Sequence, residues 1–187
     1  MAGFDVKNAT LWPLEISLRQ VGPLYWGVTP PGGTFSRGTG AVWFTIQGTI
    51  SLDGKERTTV MDAIFLPLKA SLGLVGLGNW LINGGAARIT AATGISEAAA
   101  NKLVGGHAAN TIVINGKLLS EMAEAEVQKA LEGIFTVQNS ICRMHGCYAG
   151  WSGHKHYVIS GGPTLKAIPK SKGRVELVAG SLTIAKV

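Results

Sequence analysis

No acidic side chain occurs between Glu132 and Glu176, and this gap organises the charge of the whole chain. The last 52 residues carry seven basic side chains (Arg143, Lys155, Lys166, Lys170, Lys172, Arg174 and Lys186) against Glu176 alone. Residues 1–60 carry five Lys/Arg against four Asp/Glu, and residues 61–135 carry five against six. The net charge of +6 is therefore C-terminal, where it draws anions over a Debye length. Cysteine is scarce, and two residues cannot build a disulfide framework. No basic segment leading into an apolar run opens the chain, so a cleaved secretory leader is not expected and a cytoplasmic or peripheral-membrane setting is favoured.

The patterns G-x-x-x-x-G-K-[ST], G-x-S-x-G and H-E-x-x-H are also missing, which argues against a phosphate loop, a nucleophile elbow and a zinc-peptidase helix. Gly73-Leu-Val-Gly76-Leu-Gly78 lacks the lysine and the preceding strand of a nucleotide loop. Glu121, Glu124, Glu126 and Glu132 are accounted for by a solvated helix face rather than by paired acid–base work. No repeat of 20–50 residues is visible.

What is present is a folded chain: 187 residues with 46% hydrophobic and 15% charged side chains suit a single domain, 1–187, with a genuine core. Leu14, Ile16 and Leu18 alternate with Glu15, Ser17 and Arg19 as a half-buried strand does. Thr29–Thr34 reads as a turn, and Ala41–Leu52 as the longest strand, with Gly48 marking a bulge and Asp53-Gly54 a hairpin turn. Pro67 opens a helix through Leu68–Ile82, and Ser96 caps a short one. The clearest helix is Leu118–Glu132, with Leu119, Ala123, Val127, Ala130 and Ile134 on its apolar stripe, Glu126 as a snorkelling edge carboxylate and Gly133 as its stop. Strand patterns return at His156–Ser160, near Leu165–Ile168 and across Arg174–Val187. The expected class is α+β: an antiparallel, β-sandwich-like sheet from strands in 1–60 and 136–187, with a helical, Gly/Ala-rich insertion over 61–135.

Four constellations carry chemistry. Cys142, His145, Cys147, His154 and His156 place five soft or borderline ligands within 15 residues, enough in number for zinc, in a spacing that matches no standard finger. Two of them, Cys142 and Cys147, are expected in a loop, as free thiols, as a small ring, or as a nucleophile beside histidine. The stretch Cys147–Tyr157 holds Tyr148, Trp151, His154, His156 and Tyr157 among glycines, a composition that stacks on sugars or anchors at a lipid headgroup layer. Trp12, Tyr25, Trp26 and Trp43 add to that surface or, as is commoner on strands, to the core.

Ala70–Ala87 is an uncharged run of 18 residues, short and glycine-rich for a spanning helix, and more readily accommodated in a tightly packed core. Ala167–Arg174 concentrates Lys170, Lys172 and Arg174 beside Lys166, which suits an anionic bilayer. Such a cluster without a nucleic-acid module makes a poor case for nucleic acid.

The leading expectation is a non-enzymatic binding protein that meets an anionic or lipid membrane surface with Tyr148, Trp151, His154, His156, Tyr157, Lys166, Lys170, Lys172 and Arg174. Three of the four histidines fall within residues 145–156, so acid should strengthen the attraction. Lectin-like carbohydrate recognition, a Cys/His- or metal-dependent enzyme and a homo-oligomer are the alternatives, with no cofactor other than zinc suggested.

Overall fold

The computed structural model describes residues 1–51 and 107–187. Half of these are in strands and few in helices, a β-rich α+β chain. In chain order the elements are β1 (Gly3–Asn8), β2 (Leu14–Arg19), β3 (Pro23–Thr29), β4 (Thr34–Gly38) and β5 (Trp43–Ile50). There follow β6 (Ile112–Ile114), β7 (Lys117–Leu118), a 3-10 turn (Leu119–Glu121), α1 (Glu124–Ile134) and the single turn α2 (Val137–Ser140). The C-terminal part supplies β8 (Ile141–Tyr148), β9 (His154–Gly161), β10 (Thr164–Ala167), β11 (Val175–Val178) and β12 (Leu182–Lys186). The expected helices over Leu68–Ile82 and after Ser96, the Asp53-Gly54 turn and the apolar run Ala70–Ala87 lie outside the described residues.

The chain divides into two compact units, residues 1–66 with 138–162 and 181–187, and residues 67–137 with 163–180. The first holds two four-stranded sheets. Sheet 1 has the order β12–β9–β1–β4, with β1 and β9 parallel and the other neighbours antiparallel. Sheet 2 has the order β3–β2–β5–β8 and is antiparallel throughout. C-terminal strands thus pair with N-terminal ones in both sheets. The expectation of purely antiparallel sheet is corrected by the β1–β9 pair, which a hairpin-only reading of the sequence does not contain.

Period-two patterning sets the faces. Phe4 and Val6 of β1, Leu14, Ile16 and Leu18 of β2, Phe44 and Ile46 of β5, and Tyr157 and Ile159 of β9 are buried. Phe4 meets Phe44 edge to face at 5.7 Å and lies 6.0 Å from Tyr157. Such aromatic pairs add about 1 kcal/mol beyond area burial. Asn8 is fully buried and fully used: Nδ2 donates to the carbonyls of Trp12 (2.7 Å) and Thr29 (2.9 Å), and Oδ1 accepts from the amide and hydroxyl of Thr10. This network fixes the turn between β1 and β2.

The bulge falls elsewhere than at Gly48. Gly48 stays in register with Ile16 and Cys142, and its missing side chain makes room for Ile159, whose Cδ1 would lie 2.6 Å from a Cβ there. The irregularity is one extra residue in β8: Phe44 faces Cys147 while Ile46 faces Met144. Gly146, at φ +67°, takes the left-handed conformation that such a bulge needs. Because the extra residue reverses the alternation, Cys142 and Cys147, five apart, both point into the core. They are strand residues rather than loop residues.

The second unit holds sheet 3, ordered β10–β11–β6–β7, with β6 and β11 parallel. β6 and β7 form a hairpin around Asn115-Gly116, both at positive φ, the signature of a type I′ turn. That hairpin shortens the expected helix at its start. Lys117 and Leu118 pair with β6, and α1 begins at Glu124 with Val127, Ala130, Leu131 and Ile134 buried. Gly133 lies inside α1 rather than ending it. Glu126 is a capping group: its carboxylate accepts from the Ala123 amide (3.1 Å) and pairs with Lys117 (3.0 Å). Among the described residues no helix is long and apolar enough to cross a membrane.

Candidate functional site

One end of the first unit gathers its exposed apolar side chains. β1 and β9 run parallel, so both start at this end, and antiparallel β4 finishes here. In sheet 2, β2 ends, β3 and β5 begin and β8 ends at the same level, as the pairs Arg19–Thr45 and Trp43–Tyr148 show. The connecting backbone is tied by amides: Thr39 and Gly40 donate to Ala2, Gly3 to Gly153 and Ala149 to Val42. Eight large hydrophobic side chains are exposed among the described residues, and five of them (Met1, Val21, Leu24, Trp43 and Trp151) sit at this end. Trp151, 86% exposed, crowns the β8–β9 turn, where Gly150 and Gly153 take positive φ. Trp43, 61% exposed, packs against Tyr148 with ring centroids 4.8 Å apart. Exposing two tryptophans costs unburied apolar surface, which is informative in a way that single exposed aliphatics are not.

Cations border this end. Lys155 lies over Gly150, whose added Cβ would meet Lys155 Cε at 3.1 Å. Exposed Arg37 places its guanidinium 5.0 Å from the Phe35 ring centroid and donates to the Ser36 carbonyl. Arg19 and Arg143 lie on the outer face of sheet 2, where both reach the side-chain oxygen of Gln47.

His154 and His156 share the outer face of sheet 1, and both aim Nδ1 at one carboxylate. Asp5 Oδ1 is 2.7 Å from His154 and Oδ2 is 3.4 Å from His156, while Ser36 donates to Oδ1 at 2.6 Å. Burial pushes the Asp5 carboxyl up, but the hydrogen bonds from His154 and Ser36 and the two histidines' charge outweigh it and hold the pKa below 3.8. Serine, histidine and aspartate meet here without the geometry of a nucleophilic triad: the Ser36 proton is committed to Asp5, and His154 turns the same nitrogen to both partners.

The five metal-ligand candidates separate. Cys142 and Cys147 face the core, His145 bonds Thr45 on the outside of sheet 2 (3.0 Å), and His154 and His156 face Asp5 on sheet 1. Among the described residues no three His, Cys, Asp or Glu side chains are grouped to hold a metal ion. The thiols are free, so no Cys142–Cys147 ring forms. Burial raises Cys142 to about 11 and raises Cys147 as well, the reverse of what a nucleophilic cysteine needs.

Tyr157 is placed in the core, 4% exposed, and its hydroxyl is pushed up to about 12 by burial and then by Cys147. Lys166, Lys170, Lys172 and Arg174 are exposed on the β10–β11 hairpin of the second unit. Lys166 stands opposite Glu176, and Lys170 and Lys172 take left-handed conformations in a tip closed by the Ile168 amide and Arg174 carbonyl. Asp5, Ser36, Arg19 and Gln47 were not distinguished by the sequence. Their alternation puts each on a face, but only strand pairing brings them to their partners.

No family model matches the chain, and the searches of curated proteins and of solved structures return no match.

Proposed function

We propose that this is a non-enzymatic binding protein whose first unit, two sheets arranged as a sandwich, meets an anionic lipid–water interface with its strand-end loops. The observation that carries this reading is the convergence of Trp43, Trp151, Val21, Leu24 and Met1 at one end of the unit. Tryptophan suits the headgroup layer because its ring is apolar and its N–H finds a partner there. Arg37 and Lys155 add attraction to anionic headgroups on the same unit, and Lys166–Arg174 is a separate cationic hairpin of the second unit. Each cation near such a surface contributes on the order of 1 kcal/mol, screened by salt.

Sedimentation with phosphatidylcholine vesicles, with and without anionic lipid, tests this at pH 7.5 and pH 5 and at low and high salt. Binding is expected with anionic lipid, weakened by salt and stronger at pH 5 than at pH 7.5, where the protein carries less positive charge. Inserting about 100 Å² of Trp151 contributes about 2.5 kcal/mol, so Trp151→Ala should weaken binding by more than tenfold. Equal, negligible binding under every condition would remove the reading.

The Trp43–Tyr148 pair favours a second one, because a partly exposed aromatic platform also stacks on a sugar face. Carbohydrate binding would be insensitive to salt, and a glycan array without hits would dismiss it.

A further inference from the structure

We propose that Arg37 and Lys155, which flank Phe4 on one rung of sheet 1, take the headgroup phosphates of an anionic phospholipid layer and set the depth at which the first unit docks. The inference rests on the membrane reading and adds to it the lipid group that is recognised and the two side chains that recognise it.

Strand pairing builds the site. Phe4 pairs with Arg37 on β4 and with Lys155 on β9, so one cation stands on either side of it. All three share the inner face of the sheet. Phe35 and Tyr157, two residues from Arg37 and Lys155 along their strands, are buried in the core, while Ser36, His154 and His156 turn outward to Asp5. Two strand spacings put the Cα atoms of Arg37 and Lys155 about 10 Å apart.

Neither cation is spent inside the protein. Lys155 is half-buried, yet among the described residues its ammonium makes neither an ion pair nor a hydrogen bond. It has given up part of its hydration and gains most from an anion that comes to it. Arg37 is exposed and held in place, with its guanidinium 5.0 Å from the Phe35 centroid and Nη1 donating to the Ser36 carbonyl at 3.0 Å. Among the described residues its Nε and Nη2 have no other acceptor. A fork fixed beforehand loses less entropy on binding. The acids of the described part of this unit do not compete. Asp5 faces outward in the grip of His154 and Ser36, and Glu15 is buried near the start of β2, away from this end.

A phospholipid surface answers this arrangement. Its phosphate oxygens accept from a guanidinium fork and from an ammonium, and it presents phosphates side by side, so two separated cations each meet one. Trp43, Trp151 and Leu24, exposed at the same end, would have no part in binding a small soluble phosphate.

Distances along the strands agree. The Phe4 ring meets Phe44 at 5.7 Å, so the rung lies about level with Phe44, and Trp43 stands one strand rise, about 3.4 Å, nearer the end. Trp151 lies further out, in the turn that precedes β9. The headgroup region on one side of a bilayer is about 5–8 Å deep. With Arg37 and Lys155 at the phosphates, both tryptophans reach the edge of the hydrocarbon. Exposed Lys7, three residues beyond Phe4, stands about 10 Å further from the surface, which is a Debye length.

Two measurements test this on the full chain, with phosphatidylcholine vesicles containing phosphatidylglycerol at physiological salt. In sedimentation, K155Q and R37K should each bind about tenfold more weakly than the parent, whereas K7Q, which loses the same charge as K155Q, should stay within about twofold. R37K keeps its charge and loses the fork, so its loss separates geometry from net charge, and equal thermal midpoints show that the fold is intact. If K7Q loses as much as K155Q, or if all three bind like the parent, the site is overturned and diffuse charge alone is left.

The second measures dipolar coupling between lipid phosphorus and labelled arginine Cζ and lysine Cε carbons in the bound protein. Coupling that disappears from arginine in R37K and from lysine in K155Q supports the site, and coupling unchanged by either variant overturns it. If the parent ignores the vesicles altogether, the membrane reading falls and takes the site with it. If the parent binds and the variants bind equally well, only the site falls.

Discussion

Replacing Gly48 by alanine adds one methyl group at the point where β5 faces Ile159. The new Cβ would sit 2.6 Å from Ile159 Cδ1 and 3.2 Å from Cys142 Sγ, against an ordinary carbon–carbon contact of about 3.5–4.0 Å. Ile159 is fully buried, so its terminal methyl must push into a filled core. Overpacking of this kind costs about 1–3 kcal/mol, offset by up to about 1 kcal/mol from the reduced freedom of the unfolded chain. A net loss of about 1–2 kcal/mol is expected, which lowers the thermal midpoint of a chain this long by about 2–8 °C. Ile159→Val removes Cδ1 and alone costs about 1 kcal/mol through the space it leaves. In the double variant the alanine methyl occupies that space, so the two costs should cancel in part, with a favourable coupling of about 1–2 kcal/mol. Urea unfolding of the four proteins, followed by circular dichroism, measures the cycle. Strict additivity, or a Gly48→Ala protein as stable as the parent, would refute the contact between β5 and β9.

Two further outcomes follow from the same unit. Cys142, raised to about 11, should be about one part in a thousand thiolate at pH 8, so a disulfide reagent should label the native protein slowly and both thiols fully in urea; rapid native labelling would contradict the burial. Asp5, held below 3.8, contributes stability that is present above that pH and lost as pH falls through its depressed pKa. The stability difference between the parent and Asp5→Asn should therefore shrink in acid, and a difference constant from pH 7 to pH 2 would show that the histidine and serine bonds to Asp5 carry no net weight.

Much of the strand content was legible because period-two alternation is a local property. Leu14, Ile16 and Leu18 are buried as their spacing predicts, although Glu15 and Ser17 are buried too and β2 is covered on both faces rather than half-buried; strands near His156–Ser160 and Leu165–Ile168 form with only their ends displaced. The start of α1 differs from the expected Leu118 because the Asn115-Gly116 turn draws Leu118 into β7, a pairing that the apolar periodicity of Leu118–Glu132 does not reveal. Trp12 and Trp43 show why aromatics were ambiguous. One is 1% exposed behind the Asn8 network and the other is exposed at a strand start, and nothing in residue type separates them.

The candidate site divides in the same way. Charge placement, the scarcity of cysteine and the concentration of Tyr148, Trp151, His154 and His156 in one stretch are facts of composition, available without any fold. The sequence by itself determined that the chain is β-rich, that its cations are C-terminal and that its aromatics lie near glycine turns. Only the tertiary structure decided which residues meet: Asp5 with His154, 149 positions apart, and Gln47 with Arg143, 96 apart. It also decided that two cysteines five residues apart share the core, because one inserted residue in β8 reverses the alternation. The physical reason is that a strand fixes the faces of its own side chains, while pairing and register between distant strands are set by the packing of the whole core.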